Sequence, residues 1–265
     1  QYVEYLPSTY WFVSSIYLHP ITTIRGFDMF HLLAFGGVKT DSTANEAAPG
    51  VVDPGWTLNA QNRYISPKRL RAFAATIMND TITAARINAP SLRNLGLPEI
   101  YPGTVSDDPA TNPLVAYWGE NAPEIQATEG FGIDSSNGAS TVDRVHAGLW
   151  VRDSFDPVPS GKRFTITGTS TQTLLLDAWT TGTITFTQEL PFGTFAVIGL
   201  AVVCNDAYLG RLVFPGNTQW RPGCPVGMAY SNLDFKQLFR SGMQGQFGQF
   251  ISTQPPQLEL IGNAA

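Results

Sequence analysis

Three histidines, His19, His31 and His146, are the first residues to test for chemistry. Histidine can act near neutral pH as a base, a proton carrier or a metal ligand. Their spacing fits neither HExxH nor another metal-binding pattern. His31 and His146 each lie inside an apolar run, which favours a hydrogen-bonded structural histidine over a ligand. The acids offer little more. Glu120, Glu124 and Glu129 cluster beside Tyr117 and Trp118. A glycosidase needs two carboxylates across a cleft, and aromatics near acids can form a sugar platform. The same cluster reads more simply as a solvated loop between two strands. Asp41, Asp107 and Asp108 are loop acids without the DxDxDG spacing of a calcium loop.

Nucleophile and phosphate motifs are equally sparse. No GxSxG elbow occurs, so a Ser-His-Asp triad has no local signature. Gly242, Gly245 and Gly248 recur every third residue but lack the strand-to-helix context of a dinucleotide cradle, and they read as turn positions. Cys204 and Cys224 are too few for a disulfide scaffold or a cysteine zinc site. They are expected to be two buried thiols, with pairing across the loop after Phe214 as the alternative. Arg144, Arg152, Arg211, Arg221 and Arg240 fall near strand ends, where a guanidinium fork could meet carboxylates across a subunit boundary. Ordinary surface pairing is the other reading. No catalytic, cofactor or metal residue is assigned.

Composition narrows the classes further. The net charge is −5, with four lysines in the chain, so no basic stripe is present for general or sequence-specific nucleic-acid binding. Charged residues make up 14%, well under the usual quarter. Such a surface suits a protein packed against neighbours, and equally a secreted sandwich. No apolar run is long enough for a membrane-spanning helix. Tyr10–Leu18 is short and lacks a preceding basic region, so a signal peptide is not expected there.

The elements that would position these residues read as strands, with the stretch from Thr183 to Pro215 at their centre. Thr183–Gln188 alternates, Thr194–Val203 is almost wholly apolar, and Leu209–Phe214 ends at Pro215-Gly216. Short turns between them predict consecutive neighbours in an antiparallel sheet. Thr194–Val203 is expected to be interior, with Ala196, Ile198, Leu200 and Val202 on one face and Val197 and Val203 on the other. Upstream, Tyr10–Leu18 and Met29–Phe35 are strands broken by His19-Pro20 and Gly36-Gly37. Lys39–Asn62 reads as a long exposed loop. Ser66-Pro67 followed by Leu70, Phe73, Ala74 and Ile77 predicts a helix over Pro67–Met78, although Phe73, Ala75 and Ile77 also alternate as in a strand.

Further strands are expected at Thr81–Ile87, Leu92–Ile100, Leu114–Trp118, Ile125–Ile133, Val142–Val151, Phe164–Thr169, Leu174–Trp179, Phe247–Ser252 and Leu258–Ile261. Phe235–Arg240 reads as a short helical turn or strand. The turn-rich Val105–Asn112 marks a boundary. It separates an N-terminal β-rich region or first jelly roll, 1–105, from a C-terminal jelly roll, 112–265. Eight or nine strands in about 150 residues suit a jelly roll.

With WTTGTITFTQELPFGTFAVIGLAVV running on to GRLVFPG and RPG, the second half resembles the jelly-roll coat proteins of icosahedral viruses. Length and the break at Val105–Asn112 extend the resemblance to the major capsid proteins of tailless bacteriophages. It implies an all-β fold of two jelly rolls side by side. The alternative is one C-terminal jelly roll with an elaborated N-terminal region. It also implies a virion protein that self-assembles as a homotrimer or higher shell, with other capsid proteins as partners and, in some members, an internal membrane. Residues 1–8 would then be an arm, with Tyr2, Val3, Tyr5 and Leu6 packing on a neighbouring subunit. Two other readings stay open: a carbohydrate-binding sandwich lined by Trp118, Trp150, Trp179 or Trp220, and a β-fold glycoside hydrolase.

Overall fold

The computed structural model describes residues 12–21, 30–39, 46–78, 82–92, 99–100, 102–103, 115–118, 121–137, 143–153, 164–204, 206–216, 220–227 and 248–262. Within them the chain is all-β, apart from 3₁₀ residues at Pro90–Leu92 and Asn121. The strands are β1 (Phe12–Ile21), β2 (Phe30–Lys39), β3 (Glu46–Ala48), β4 (Tyr64–Ile65), β5 (Leu70–Met78), β6 (Ile82–Asn88), β7 (Glu99–Ile100), β8 (Pro102–Gly103), β9 (Val115–Tyr117) and β10 (Glu124–Ile125). They continue as β11 (Gly130–Asn137), β12 (Asp143–Arg152), β13 (Phe164–Ser170), β14 (Trp179–Thr183), β15 (Thr185–Phe186), β16 (Thr194–Val203), β17 (Ala207–Val213), β18 (Gly223–Gly227), β19 (Gly248–Ile251) and β20 (Gln257–Gly262).

Three sheets result. A nine-stranded sheet runs β14-β20-β17-β18-β16-β1-β13-β15, with β19 also on β16. A six-stranded sheet runs β10-β5-β12-β2, with β8 and β9 on β5, and a five-stranded sheet runs β3-β11-β6-β7, with β4 on β11. Pairing is antiparallel except for two-residue contacts between β16 and β18 and between β5 and β8.

The sheets enclose two cores, and the six-stranded sheet serves both. In β12, Val145, Ala147, Leu149 and Val151 join the core shared with the five-stranded sheet, where Phe131 and Ile133 of β11 and Ala85 and Ile87 of β6 meet them. The alternate residues face the nine-stranded sheet. His146 packs on the Tyr208 ring at 4.5 Å, and Trp150 donates its indole N–H to the Gly223 carbonyl at 2.9 Å. β2 divides likewise, with Leu32 and Ala34 in one core and Leu33 and Phe35 in the other. The architecture is therefore a sandwich of three layers with the six-stranded sheet in the middle.

That double burial explains why β5 looked helical. Leu70 and Ala72–Ile77 are all buried, so no polar face marks a two-residue period. A bulge between β12 and β5 leaves Phe73 without a register partner, and Phe73 and Ala74 both enter the first core. The helix expected at Pro67–Met78 is thus a strand.

Other boundaries also move. β1 continues through His19 and Pro20, and β2 through Gly36 and Gly37. The expected strand at Leu174–Trp179 is irregular, and regular pairing starts at Trp179. A turn at residues 127–128 splits Ile125–Ile133 into β10 and β11. The supposed exposed loop after Lys39 carries β3 and then lies along the edge of β2, where Gly36 N bonds to Pro49 O and Val51 N to Ala34 O, both at 3.0 Å. Val51, Asp53 and Trp56 are buried there. Residues 40–45 and Phe235–Arg240 lie outside the described residues.

The central stretch is not a meander. β15 pairs with β13, and β18 separates β16 from β17. β16 is interior, between β1 on one side and β18 and β19 on the other. Its core-facing residues are Phe195, Val197, Leu200 and Val202. The expected alternation fails because a bulge opposite Tyr17 and Leu18 leaves Ile198 as an extra residue and switches the faces.

Pairing also crosses the segment 105–112. β9, β10 and β12 bond to β5, and β11 bonds to β6, whereas β1 lies between β13 and β16.

Ile198 is 3% exposed, so Ile198→Asp would bury a charge with no partner prepared for it. The expected outcome is loss of soluble folded protein, read by circular dichroism and size exclusion. A folded Ile198→Asp variant would contradict the placement of this strand.

Candidate functional site

The densest group of polar side chains lies where β2, β17 and β20 converge. Four adjacent strands place one residue each in a row: Thr181 on β14 opposite Glu259 on β20, Glu259 opposite Arg211 on β17, and Arg211 opposite Gly223 on β18. Direct cross-strand partners are close enough for side chains to bond. Thr181 Oγ1 donates to Glu259 Oε1 at 3.1 Å, and Arg211 Nε donates to Glu259 Oε2 at 2.6 Å. Gly223 has no side chain because a Cβ there would overlap the Gly210 carbonyl oxygen and approach Arg211 Cβ to 2.6 Å.

Arg211 then links two sheets. Its Nη1 donates to Asp53 Oδ2 and to the Leu32 carbonyl, the latter at 3.2 Å. Arg221, on the segment before β18, donates Nη1 to Glu259 Oε1. Arg211 and Asp53 side chains are 0% exposed, and those of Arg221 and Glu259 nearly so. Such residues are almost never buried unless paired. Here two guanidinium groups meet two carboxylates, and the charges cancel.

His31 completes the cluster. Arg221 N donates to His31 Nδ1 at 2.8 Å, which makes Nδ1 an acceptor without a proton. The ring proton therefore sits on Nε2, which donates to Asp53 Oδ2 at 3.0 Å. Burial lowers the His31 pKa, the Asp53 carboxylate opposes this, and Arg211 and Arg221 add to the lowering. Burial alone would raise the Asp53 carboxyl. Its contacts with His31 and Arg211 outweigh that and hold it well below the usual carboxylate range. Asp53 Oδ1 also accepts from Gly55 N at 3.2 Å.

Aromatic rings wall the cluster. Trp56 lies 5.0 Å from the His31 ring and 5.6 Å from Trp220. The Arg211 guanidinium sits 3.8 Å over Trp179, and Lys68 Nζ 4.7 Å over Trp220, both positions for cation–π attraction.

A second tie joins the same two sheets nearby. Arg144 on β12 pairs with Asp177 at 3.0 Å, His146 Nδ1 lies 3.8 Å from the same carboxyl group, and the Tyr208 hydroxyl reaches Phe35 O at 3.5 Å. Burial raises the Asp177 carboxyl and Arg144 opposes it. Within the five-stranded sheet, buried Asp134 accepts from Arg63 at 2.8 Å and from Asn88.

The His31–Asp53 hydrogen bond is that of a base and its orienting carboxylate. A working base needs its second ring nitrogen free to take a proton from a nucleophile. At His31 that nitrogen holds the Arg221 N–H, and the ring is 0% exposed. The arrangement is a clamp between sheets.

The residues singled out in the sequence separate accordingly. His31 and His146 are hydrogen-bonded or ring-packed inside the structure, and the His19 side chain is not described. Arg144, Arg211 and Arg221 pair with carboxylates of the same chain, Arg144 and Arg211 from strands that face another sheet and Arg221 from the segment before β18. Arg152 lies 4.9 Å over Phe73, and Arg240 is outside the described residues. Glu124 pairs with Arg69 and Arg71, while Glu129 accepts from Ser91 Oγ at 2.7 Å and Gln126 N at 2.9 Å, so neither is poised across a cleft. Trp150 and Trp220 are buried, and Trp118 and Trp179 pack against the cores.

Cys204 and Cys224 are buried free thiols, and burial pushes Cys204 up to about 12. Glu120, Asp41, Asp107, Asp108, Gly242, Gly245, Tyr2, Val3, Tyr5 and Leu6 lie outside the described residues. Asp53 and Glu259 were not singled out. Their signal was a lone charge amid apolar neighbours, in VVDPGW and LELIG.

Removing one member of a buried ion pair strands the others without a counter-charge. Asp53→Ala should lower unfolding free energy by about 3–5 kcal/mol in urea titration. Arg69→Ala, at an exposed pair, should change it far less. Equal small effects would show that the cluster does not hold the sheets.

Compared with protein-family models, curated proteins and solved structures, the chain matches none of them.

Proposed function

We propose that this chain is a structural, shell-forming protein: a jelly-roll capsid protein that assembles with copies of itself in the virion of a tailless bacteriophage. The observation that supports this most is Phe192. It is 95% exposed at the turn leading into β16, beside Pro191, although the other described aromatic side chains are at least partly covered. With Ile251, 40% exposed on β19 opposite Thr194, the ring leaves apolar surface in water that a partner would cover. Aromatic residues are enriched and charges depleted at the centres of protein interfaces. The weakly charged composition agrees with this, and the arginines described above are engaged within the subunit. Lateral contacts in the shell then fall to apolar and uncharged polar groups.

The jelly-roll path belongs to this proposal, as do the two-roll arrangement, the trimeric or higher assembly, the other capsid proteins and any underlying membrane. The arm at residues 1–8 belongs to it as well. The saccharide-binding reading is weaker because the tryptophans named for it pack inward. The hydrolase reading is weaker because Glu124 and Glu129 are engaged by neighbouring side chains and amides.

Sedimentation and negative-stain microscopy of the purified protein test the reading. Trimers or closed shells are expected. Phe192→Ser should reduce assembly at least tenfold in the concentration required, with an unchanged melting temperature. Deleting residues 1–8 should leave a folded subunit that assembles poorly or into malformed particles. A protein that stays monomeric at all concentrations and is retained on a glycan array would overturn the proposal.

A further inference from the structure

The polar bonds around His31 hold together elements that the backbone alone joins weakly. β2 is the edge strand of the six-stranded sheet. Its outer edge meets Arg221 through Leu32 N to Arg221 O at 3.0 Å and Arg221 N to His31 Nδ1 at 2.8 Å. The same short segment continues into the nine-stranded sheet, where Leu212 N bonds to Pro222 O at 2.8 Å. Residues 220–222 are thus a strap between two layers, and one of its fastenings is an imidazole nitrogen.

We propose that His31 is an acid-released latch: its neutral ring fastens the 220–222 strap to the edge of β2, and protonation of Nδ1 unfastens it. A proton from solvent on Nδ1 turns the acceptor into a donor that faces the Arg221 N–H donor. The bond is then lost and replaced by a repulsive contact. The same proton adds a third positive charge beside Arg211 and Arg221, against the two carboxylates Asp53 and Glu259. The groups facing the ring are Asp53 from the segment covering β2, Arg211 from β17 and Arg221 from the strap. Glu259 of β20 lies behind the two arginines, Lys68 lies over Trp220, and Tyr64 shares the Asp53 environment. Opposite His31 on β12 stands Val151, which cannot compensate.

The direction with pH follows from linkage. The unfolded chain takes up this proton near the ordinary histidine value of about 6.5. Burial and the two arginines lower the His31 value in the folded state, so the folded chain takes it up only at lower pH. Stability from the latch is complete above about pH 6.5 and declines as pH falls toward the folded value. In that interval one proton costs about tenfold in the unfolding equilibrium per pH unit.

The test compares urea unfolding from pH 7.5 to 5.0 for the wild-type protein and His31→Gln, which does not titrate. As pH falls below about 6.5 the wild-type unfolding constant should rise about tenfold per pH unit more steeply than that of the variant, with no difference in slope above it. Subtraction removes the contributions of His19, His146 and the carboxylates. If His31→Gln does not fold, the wild-type protein alone still decides the matter. Nitrogen NMR of the imidazoles at pH 7.5 should show His31 protonated at Nε2 alone. Exchange protection of the Arg221 and Leu32 amides, corrected for intrinsic rates, should fall on acidification before that of the β12 amides. Identical pH slopes for wild type and His31→Gln, a doubly protonated His31 at pH 7.5, or simultaneous loss of protection at both places would overturn the proposal.

Discussion

A sheet covered on both faces gives its side chains no route to water except at its edges, and the six-stranded sheet is built under that constraint. Every polar group carried by β2, β5 or β12 must find a protein partner or sit at a rim. This is why the charged groups around β2 occur in neutralising sets: Arg211 and Arg221 with Asp53 and Glu259, and Arg144 with Asp177. Burial makes each carboxylate costly alone. The partners repay that cost only when they are all present in the correct geometry. The apolar cores supply most of the driving force for stacking. The paired charges decide which face of one sheet lies on which part of another, because a shifted arrangement would leave ions unmatched.

Strands set between clear turn residues were legible in the sequence, and β5, preceded by the helix-like start Ser66-Pro67, was not. β16 was readable to the residue because ten apolar or small residues between clear turns admit little else. β5 was misread because complete burial erased the polar face that distinguishes a period of two from one of 3.6. The faces of β16 were misassigned because nothing in TFAVIGLAVV announces that Ile198 bulges. That depends on β1, which is about 180 residues away in the chain. The sheet order was hidden for the same reason, since β18 and β1 enter from distant parts of the sequence.

The clamp shows the same limit in another form. A lone polar or charged residue within an apolar run, such as His31, Arg211 or Glu259, signals that a partner exists. It does not say which partner. Arg211 and Asp53 are separated by 158 positions, and Asp53 lies in a segment whose proline, glycine and polar content reads as an exposed loop. Hydrogen-bond demand along the edge of β2 draws that segment inward, and composition alone carries no record of it. Arg144, Arg211 and Arg221 do meet carboxylates, as the sequence led one to expect, while Arg152 lies over the Phe73 ring.

The position of β1 has a consequence for the protein's birth on the ribosome. This strand leaves the exit tunnel well before both of its neighbours, β13 and β16, are made. At ordinary rates of translation the interval before β16 emerges is roughly 10–40 s. During that time an apolar strand with two open edges must be kept from pairing elsewhere. Closure of the nine-stranded sheet waits longer still, for β20, about 50 residues after β16. Completion of that sheet is therefore gated by synthesis of β20, and a ribosome that stalls before it leaves an unclosed sheet exposed to its neighbours.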